Sequence, residues 1–356
     1  MAGCPKGCPA FDNGTPPPDR PTTGRAPATA WTRRLAGYRQ PMHARSLWEL
    51  AVTAGPFAAL FALSWLSLSL SPVISVALSL ANAAFVLRLF MIQHDCGHGS
   101  FLGDRAWNDR LGRVIGVVTL TPYRVWRQSH ATHHATTGNL ARRGTGDIPT
   151  LTVREYRALS ALGRLRYRLV RHPLVLFAIA PFYVFFLRNR LPAKLSGAHW
   201  RDWASALGTD AAILGLLVGL YLTGGKDVLL FTYLPMMLLA ASAGMWLFFV
   251  QHQFEDTTWD HDDGWAVQDA AFHGSSHYDL PPVLRWITAN IGIHHVHHLA
   301  SRIPFYRLPE VLRDHGELAD VGRITIGQSL SCARLALWDE TRRRLVSFGE
   351  ARRLPA

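Results

Sequence analysis

Long hydrophobic runs alternate with polar stretches along the chain, and this pattern predicts a protein that crosses a membrane. The first pair of runs, 50–70 and 73–92, is separated by the helix-breaking Pro72. A second pair, 208–223 and 228–250, is separated by a short turn with two consecutive glycines. Such runs are typical of helices that span the hydrocarbon core, which is roughly 30 Å thick. We therefore expect an all-α integral membrane fold with four transmembrane helices in two hairpins.

Two further apolar segments, 114–121 and 173–187, are predicted to be interfacial or half-inserted helices. The second is shorter than the roughly 20 residues that a spanning helix needs. If His94 and His252 lie on the same face of the membrane, the chain must cross the membrane an even number of times between them. A third span at 173–187 would place His252 on the opposite face. Arginines flank the segment 173–187, so the positive-inside bias predicts that the histidine-bearing face is cytoplasmic. We expect the polar remainder to form a helical cap on that side.

Three regions are predicted along the sequence. They are a polar, disordered leader (1–45), a membrane domain (46–315) and a basic C-terminal tail (316–356). The formal net charge is +12, and the basic residues flank apolar runs. This placement favours contact with a membrane surface or a redox partner over nucleic acid, for which no motif is present.

Histidines carry the chemical information in this sequence. Of the seventeen in the chain, eight fall in three groups with helical spacing, and a ninth follows the last predicted span. Residues at i, i+3 and i+4 share one face of a helix, so the side chains of each group project together. These nine are His94 and His98; His130, His133 and His134; His252; and His294, His297 and His298. Imidazole binds iron, zinc, copper or nickel, and nine exceed what one ion uses. A site for two metals is therefore predicted.

Four residues close to these histidines are predicted to support the ligands without binding metal. They are Asp95, Glu255, Asp256 and His295. A carboxylate that accepts the second imidazole N–H fixes the tautomer of a metal ligand and raises its basicity. His273 and His277 also have the spacing of a pair, but the residues between them disfavour a helix, so we expect a loop near the site.

The histidine groups lie in four motifs. These are HDCGH at 94–98, HATHH at 130–134, VQHQFE at 250–255 and GIHHVHHLASRIPFYRLP at 292–309. Together they resemble the membrane fatty-acid desaturase family over roughly residues 45–315. The stretches 136–156 and 274–281 are similar to bacterial and cyanobacterial acyl-lipid desaturases of the delta-12 (omega-6) group.

The resemblance implies a four-span enzyme of the bacterial inner membrane, with two irons held by the nine histidines on the cytoplasmic side. It also implies that O2 and electrons from an external ferredoxin-like donor convert a lipid acyl chain into its unsaturated form. In animal stearoyl desaturases an asparagine one turn before the last-span histidine helps to complete the shell. Phe248 stands there in this sequence and cannot bind a metal, so water or another polar residue is expected to replace it.

Other activities stay open at this point. A hydroxylase, a ketolase or a fatty-acid decarboxylase would use the same motifs, because the outcome depends on where the C–H bond lies relative to the oxidant. A histidine-rich metal transporter would need polar residues in mid-span. The predicted spans are nearly bare of them, with Asn82 and Arg88 as the main exceptions.

Binding partners are predicted from the residues beside the motifs. An apolar tunnel for the acyl chain is expected at the cytoplasmic ends of the spans, with Trp246, Phe248 and Phe249 as candidate lining residues. Four arginines near the second motif are expected to receive lipid phosphate or an acidic electron-transfer protein. They are Arg124, Arg127, Arg142 and Arg143.

Overall fold

The computed structural model describes residues 28–144, 146–190, 192 and 199–355. Most of the predicted leader, residues 1–27, lies outside these ranges. The described chain is mostly helical. Its longer helices are α2 (His43–Leu66), α3 (Pro72–His98), α8 (Val175–Arg190, in large part π-helical), α9 (Trp200–Asp227) and α10 (Leu234–His252).

Shorter helices build the polar part of the molecule. They are α1 (Ala28–Arg34), α4 (Arg105–Val118), α5 (Tyr123–Thr136), α6 (Val153–Ala158), α7 (Ala161–Val170), α11 (Val267–His273), α12 (Pro282–Ile287), α13 (His294–Leu299), α14 (Leu308–Asp314), α15 (Ile326–Cys332) and α16 (Phe348–Arg353).

Within the described ranges, three helical segments are long and apolar enough to cross a membrane. They are His43–Ser69, Pro72–His98 and Trp200–His252, and α7 with α8 gives a fourth candidate that is bent by 56°. The third segment is not one straight helix, because the backbone leaves the helical region at Gly225, where φ is 68°. Glycine adopts this left-handed conformation without the steric cost of a Cβ. The predicted runs 208–223 and 228–250 lie on either side of this break.

Helices α3 and α10 run side by side in the same direction. The Ser79 hydroxyl donates to the Thr232 carbonyl at 2.7 Å, just before α10 begins. One turn further along both segments, the Asn82 side-chain amide lies 3.5 Å from the Met236 sulfur. The C-terminal ends of α3 and α10, which carry histidines, therefore come to the same end of the bundle. At the opposite end, Gly224 packs so closely on Trp65 that a Cβ there would lie 2.7 Å from the indole ring.

A buried ion pair neutralises the charge within α3. The Arg88 guanidinium pairs with the Glu49 carboxylate of α2 and donates to the Thr53 hydroxyl at 3.0 Å. It also donates to the backbone carbonyl of Trp286 in α12, the helix that precedes α13. Arg88 is thus part of the packing between α2, α3 and the polar region.

Two small sheets depart from the all-α prediction. The strands are β1 (Leu151–Thr152), β2 (His277–Tyr278), β3 (Arg323–Ile324), β4 (Leu335–Asp339) and β5 (Arg344–Ser347). β4 pairs with β1 in parallel and with β5 in antiparallel, and β2 pairs with β3 in parallel. Residues 316–355, predicted to be a basic tail, are therefore folded onto the rest of the chain. Strands of two residues, paired across long sequence separations, leave no periodic signal in the sequence.

Candidate metal centre

Four helices bring nine imidazoles together at one end of the bundle. The histidines lie on α3, α5, α10 and α13, and they form two groups. Within each group the potential ligand nitrogens all lie within 4.8 Å of one another. The five-histidine group contains His94, His98, His130, His134 and His297, and the four-histidine group contains His133, His252, His294 and His298. These are the nine residues that the sequence analysis singled out.

Neighbouring histidines on one helix belong to different groups. His133 and His134 of α5 separate in this way, as do His297 and His298 of α13. Successive residues of an α-helix are rotated by about 100°, so two adjacent side chains serve two centres that lie side by side. The i, i+3, i+4 spacing thus predicted correctly that the histidine side chains come together, but it did not predict their division into groups of five and four.

The ring nitrogens approach each other at the separations expected of ligands around an ion. Two imidazole nitrogens at about 2.1 Å from one metal, at right angles, lie about 3 Å apart. Four pairs of Nε2 atoms have this separation. They are His98–His130, His130–His134 and His133–His252 at 3.1 Å, and His252–His294 at 3.0 Å.

Several of these nitrogens are buried without a hydrogen-bond partner. Among the described residues, this holds for Nδ1 of His294, Nε2 of His297 and both ring nitrogens of His298. Leaving buried polar atoms unsatisfied is costly, and a bound cation would engage one nitrogen of each ring that faces the centre, such as Nε2 of His297 and one nitrogen of His298. Nine imidazoles without cysteine match the donor preference of iron, copper, zinc and nickel. The residues present therefore fit two metal ions.

Burial favours the neutral, metal-binding form of these histidines. Desolvation, followed by repulsion from neighbouring imidazoles, lowers the pKa of five of them well below the usual value for histidine. These are His130, His134, His294, His297 and His298. The neutral imidazole that results at physiological pH is the form that coordinates a metal.

Hydrogen bonds to the far side of the rings orient the four-histidine group. The Nδ1 of His133 donates to Oδ1 of Asp147 at 2.7 Å, and that carboxylate is largely buried. The Nδ1 of His252 donates to the backbone carbonyl of Gly274 at 3.2 Å. Both bonds leave Nε2 free to face the centre, which is the usual arrangement around histidine ligands. The sequence analysis missed Asp147, because no spacing rule links it to the motif at 130–134.

Asp95 has the place expected of a supporting carboxylate. Its Oδ1 lies 3.3 Å from Nδ1 of His94, and its Oδ2 accepts a hydrogen bond from the backbone N–H of Phe305 at 2.7 Å. The same side chain thus contacts a ring of the five-histidine group and the segment that follows α13. It connects the first and the fourth of the histidine motifs, 94–98 and 292–309.

The comparison with known proteins identifies the family. A model of the fatty acid desaturase family matches residues 69–328. A fatty acid desaturase of Bacillus subtilis (strain 168) is 42% identical over 324 residues, which are 91% of this chain and 92% of the relative. The chain belongs to the fatty acid desaturase family.

More distant desaturases also match. An omega-3 fatty acid desaturase of the endoplasmic reticulum of Vigna radiata var. radiata is 30% identical over 257 residues, 65% of this chain and 62% of the relative. An sn-1 oleoyl-lipid 12-desaturase of Anabaena variabilis is 26% identical over 242 residues, 62% of each chain. The chain is thus a membrane desaturase, and the hydroxylase, ketolase, decarboxylase and transporter alternatives are not supported.

Three other predicted supporting residues of the desaturase lie away from the rings that they were expected to hold. Glu255 is exposed and pairs with Arg344, and Asp256 is also exposed. The reason is that α10 ends at His252, so the residues after it turn outward. His295 is buried, but its Nε2 donates to the Leu318 carbonyl at 3.0 Å and contacts none of the nine. It holds the folded C-terminal segment instead.

His273 and His277 stay outside both histidine groups of the desaturase. His273 ends α11, and His277 lies on β2, where its Nδ1 donates to the Ala319 carbonyl. The expected loop is thus a short helix followed by a strand. The segment was also predicted to lie near the site. That part is supported, because the backbone carbonyl of Gly274, which directly follows His273, contacts His252.

Only one of the three predicted tunnel residues reaches the histidines of the desaturase. The Phe248 ring lies 5.1 Å from the His133 ring and 5.3 Å from the His252 ring, so it forms an apolar wall of the four-histidine group. Trp246 and Phe249 instead pack on Phe177 of α8, at 5.0 and 5.2 Å.

The four arginines predicted to meet an anionic partner are each bound within the chain. They form ion pairs with carboxylates, which reduces the positive charge that they offer to a partner. The pairs are Arg124–Asp202, Arg127–Asp109, Arg142–Asp262 and Arg143–Glu155.

Proposed function

We propose that this desaturase holds two irons, one in each histidine group, and uses O2 to place a double bond in a lipid acyl chain. The observation that carries the proposal is the division of nine buried or half-buried imidazoles into groups of five and four. One ion uses about four to six ligands, so the two groups match two ions. Iron bound there would supply the oxidising power to remove hydrogen from an unactivated methylene, which no side chain can do.

The overall reaction balances with O2 and an external reductant. Two hydrogens leave adjacent methylenes, two electrons and two protons are added, and O2 is reduced to two waters. We propose that a partner protein supplies the electrons. A ferredoxin-like donor is supported by a relative from Helianthus annuus, 30% identical, whose name specifies ferredoxin.

The acyl chain is proposed to lie in an apolar cavity between α3, α8 and α10. Its lining is almost entirely apolar and includes Val86, Phe90, Phe185, Ala240 and Gly244. Such a lining suits a hydrocarbon chain.

Two aromatic rings connect the cavity with the five-histidine group. Phe90 at the cavity wall lies 5.4 Å from Trp126, and the Trp126 ring stacks on His130 at 4.8 Å. A chain that passes these two rings would bring its methylenes towards the ligand histidines while the aromatic walls exclude water.

For the position of the double bond we propose the delta-12 (omega-6) type. The support is the similarity of residues 136–156 and 274–281 to that group, together with the Anabaena variabilis relative named as a 12-desaturase. Omega-3 desaturases match as well, so product analysis decides. An acyl lipid is proposed as the substrate, because the names of two of these relatives specify a lipid-bound chain.

The membrane arrangement is proposed to be two hairpins with the histidine centre on the cytoplasmic side of a bacterial inner membrane. Parallel α3 and α10, and the contact between Trp65 and Gly224 at the other end, support the hairpins. The arginine-rich flanks of α8 support the cytoplasmic side. A fluorescent protein fused after the last residue should then fluoresce, whereas a periplasmic phosphatase fused there should be inactive.

Expression in a bacterial host that lacks polyunsaturated lipids tests the proposed reaction. Gas chromatography with mass spectrometry of its fatty acids should show a new double bond, at the delta-12 position. The His133→Ala variant should abolish it. His261→Ala is the matched control, because His261 is exposed, pairs with Glu340 and belongs to neither group. A hydroxylated, keto or terminal-alkene product, or full activity of His133→Ala, would overturn the proposal.

A further inference from the structure

Arg171 is a buried cation whose role the reaction does not explain. It follows directly after α7 and is only 3% exposed. Among the described residues, no carboxylate forms an ion pair with it. A buried guanidinium without a counterion is costly, so its retention calls for compensating hydrogen bonds.

Three hydrogen bonds from Arg171 join three separate segments. Its Nη1 donates to the Pro149 carbonyl at 3.0 Å. Its Nη2 donates to Oε1 of Gln253 at 2.8 Å and to the Leu335 carbonyl at 2.7 Å. The guanidinium also lies 5.4 Å from the centre of the Phe249 ring. The planar fork of arginine reaches several acceptors at once, which the single ammonium of lysine does not.

Two of the three acceptors lie close in sequence to the four-histidine group: one is next to His252, and the other is near Asp147, which bonds His133. Pro149 is two residues after Asp147, the carboxylate that accepts from Nδ1 of His133. Gln253 directly follows His252 and also contacts the Thr150 hydroxyl at 3.2 Å through its amide nitrogen.

The third acceptor, the Leu335 carbonyl, links the region around Asp147 and His252 to the C-terminal segment. Leu335 begins β4, which pairs with β1 immediately after the loop that holds Asp147. Arg171 thus fixes the C-terminal side of the Asp147 loop at two points: directly at Pro149, and through β4 at β1.

We propose that Arg171 is a positioning residue for the metal of the four-histidine group. It holds the Asp147 loop against His133 and holds the end of α10 that presents His252. None of its contacts reaches the five-histidine group. Replacing the Arg171 guanidinium should therefore weaken metal binding at the four-histidine group and leave binding at the five-histidine group unchanged. The inference rests on the proposed function, because it requires that the histidine groups bind metal.

The test uses iron-loaded, purified full-length protein and follows release of iron to a chelator. The wild type should release two irons per chain slowly. The Arg171→Lys variant keeps the charge and should release one iron about tenfold faster while the other keeps the wild-type rate. Arg168→Lys is the matched control, since Arg168 lies one turn earlier, is exposed and bonds the Tyr156 hydroxyl.

Selective release separates positioning from a general structural role. A variant that is merely less stable would release both irons faster, and this result would overturn the inference, as would unchanged release of both. Gln253→Leu is the second variant in case Arg171→Lys fails to fold, and it should give the same selective release. If the wild type and Arg168→Lys bind no iron at all, the proposed function itself fails, and that outcome is distinct from the others.

Discussion

The rings of His134 and His298 stack at 4.0 Å between centroids and 10° between planes, although they belong to different histidine groups. This is the shortest ring separation between the two groups. Each ring comes from a helix that contributes histidines to both groups, α5 in one case and α13 in the other. Any shift of α5 against α13 would therefore disturb both histidine groups, whereas a change confined to the Asp147 loop or to the end of α10 would disturb the four-histidine group alone.

Asp147→Asn should weaken metal binding at the four-histidine group. The amide keeps the shape of the carboxylate, but its orientation is not fixed and it no longer stabilises the Nδ1–H tautomer of His133. Loss of such a partner lowers metal affinity by about 10–100-fold. Competition with a chelator measures this change. Asp256→Asn is the control, because Asp256 is exposed and should leave affinity unchanged. Equal affinities in all three proteins would show that Asp147 does not support the site.

Gly244→Leu should obstruct the apolar cavity. A Cβ at Gly244 would lie 3.8 Å from Leu87, at the cavity wall, so a longer side chain would extend into the space proposed for the acyl chain. We expect desaturation of long chains to fall by tenfold or more, on the order of what one or two kcal/mol of lost binding gives. Fatty-acid profiles of cells that express the variant provide the measurement.

Gly215→Leu is the control for this substitution. Gly215 lies on an exposed part of α9 with open space around its Cβ position, away from the cavity. Wild-type products from Gly244→Leu, or an equal loss from Gly215→Leu, would argue against the cavity as the acyl site.

Glu49→Leu should strongly destabilise the fold, because it leaves Arg88 charged and buried without its partner. Breaking a buried pair in this way costs about 3–5 kcal/mol. The double variant Glu49→Leu with Arg88→Met should recover much of that loss, since neither charge then remains. Thermal unfolding in detergent compares the three proteins. A single variant as stable as the wild type would mean that the pair is not buried as described.

The sequence carried enough information to predict which histidines come together, because their spacing is a local property of helices. All nine histidines come together, and Asp95 contacts His94 as expected. The other supporting residues depend on tertiary structure. Asp147 reaches His133 from a loop without any periodicity, while Glu255, near a ligand in sequence, turns away once α10 ends. A short distance along the chain predicted a contact with a histidine ring only where both residues lie on the same helix, as Asp95 and His94 do.

The membrane part was also predictable in outline, and the polar part was not. Hydrophobic runs identified the candidate spans, since length and composition decide whether a helix can cross a bilayer. The C-terminal segment was expected to be a tail, because a high proportion of basic residues hides a strand of five residues such as β4. Its pairing with β1 is a contact over nearly two hundred residues, as Leu151 aligned with Leu337 shows. No local pattern encodes such a contact.

The central claim is that the histidine groups hold two irons, and anomalous scattering at the iron absorption edge tests it most directly. Crystals of the protein loaded with iron should show two anomalous peaks, one among His94, His98, His130, His134 and His297, and the other among His133, His252, His294 and His298. A single peak, or none at either group, would contradict the account.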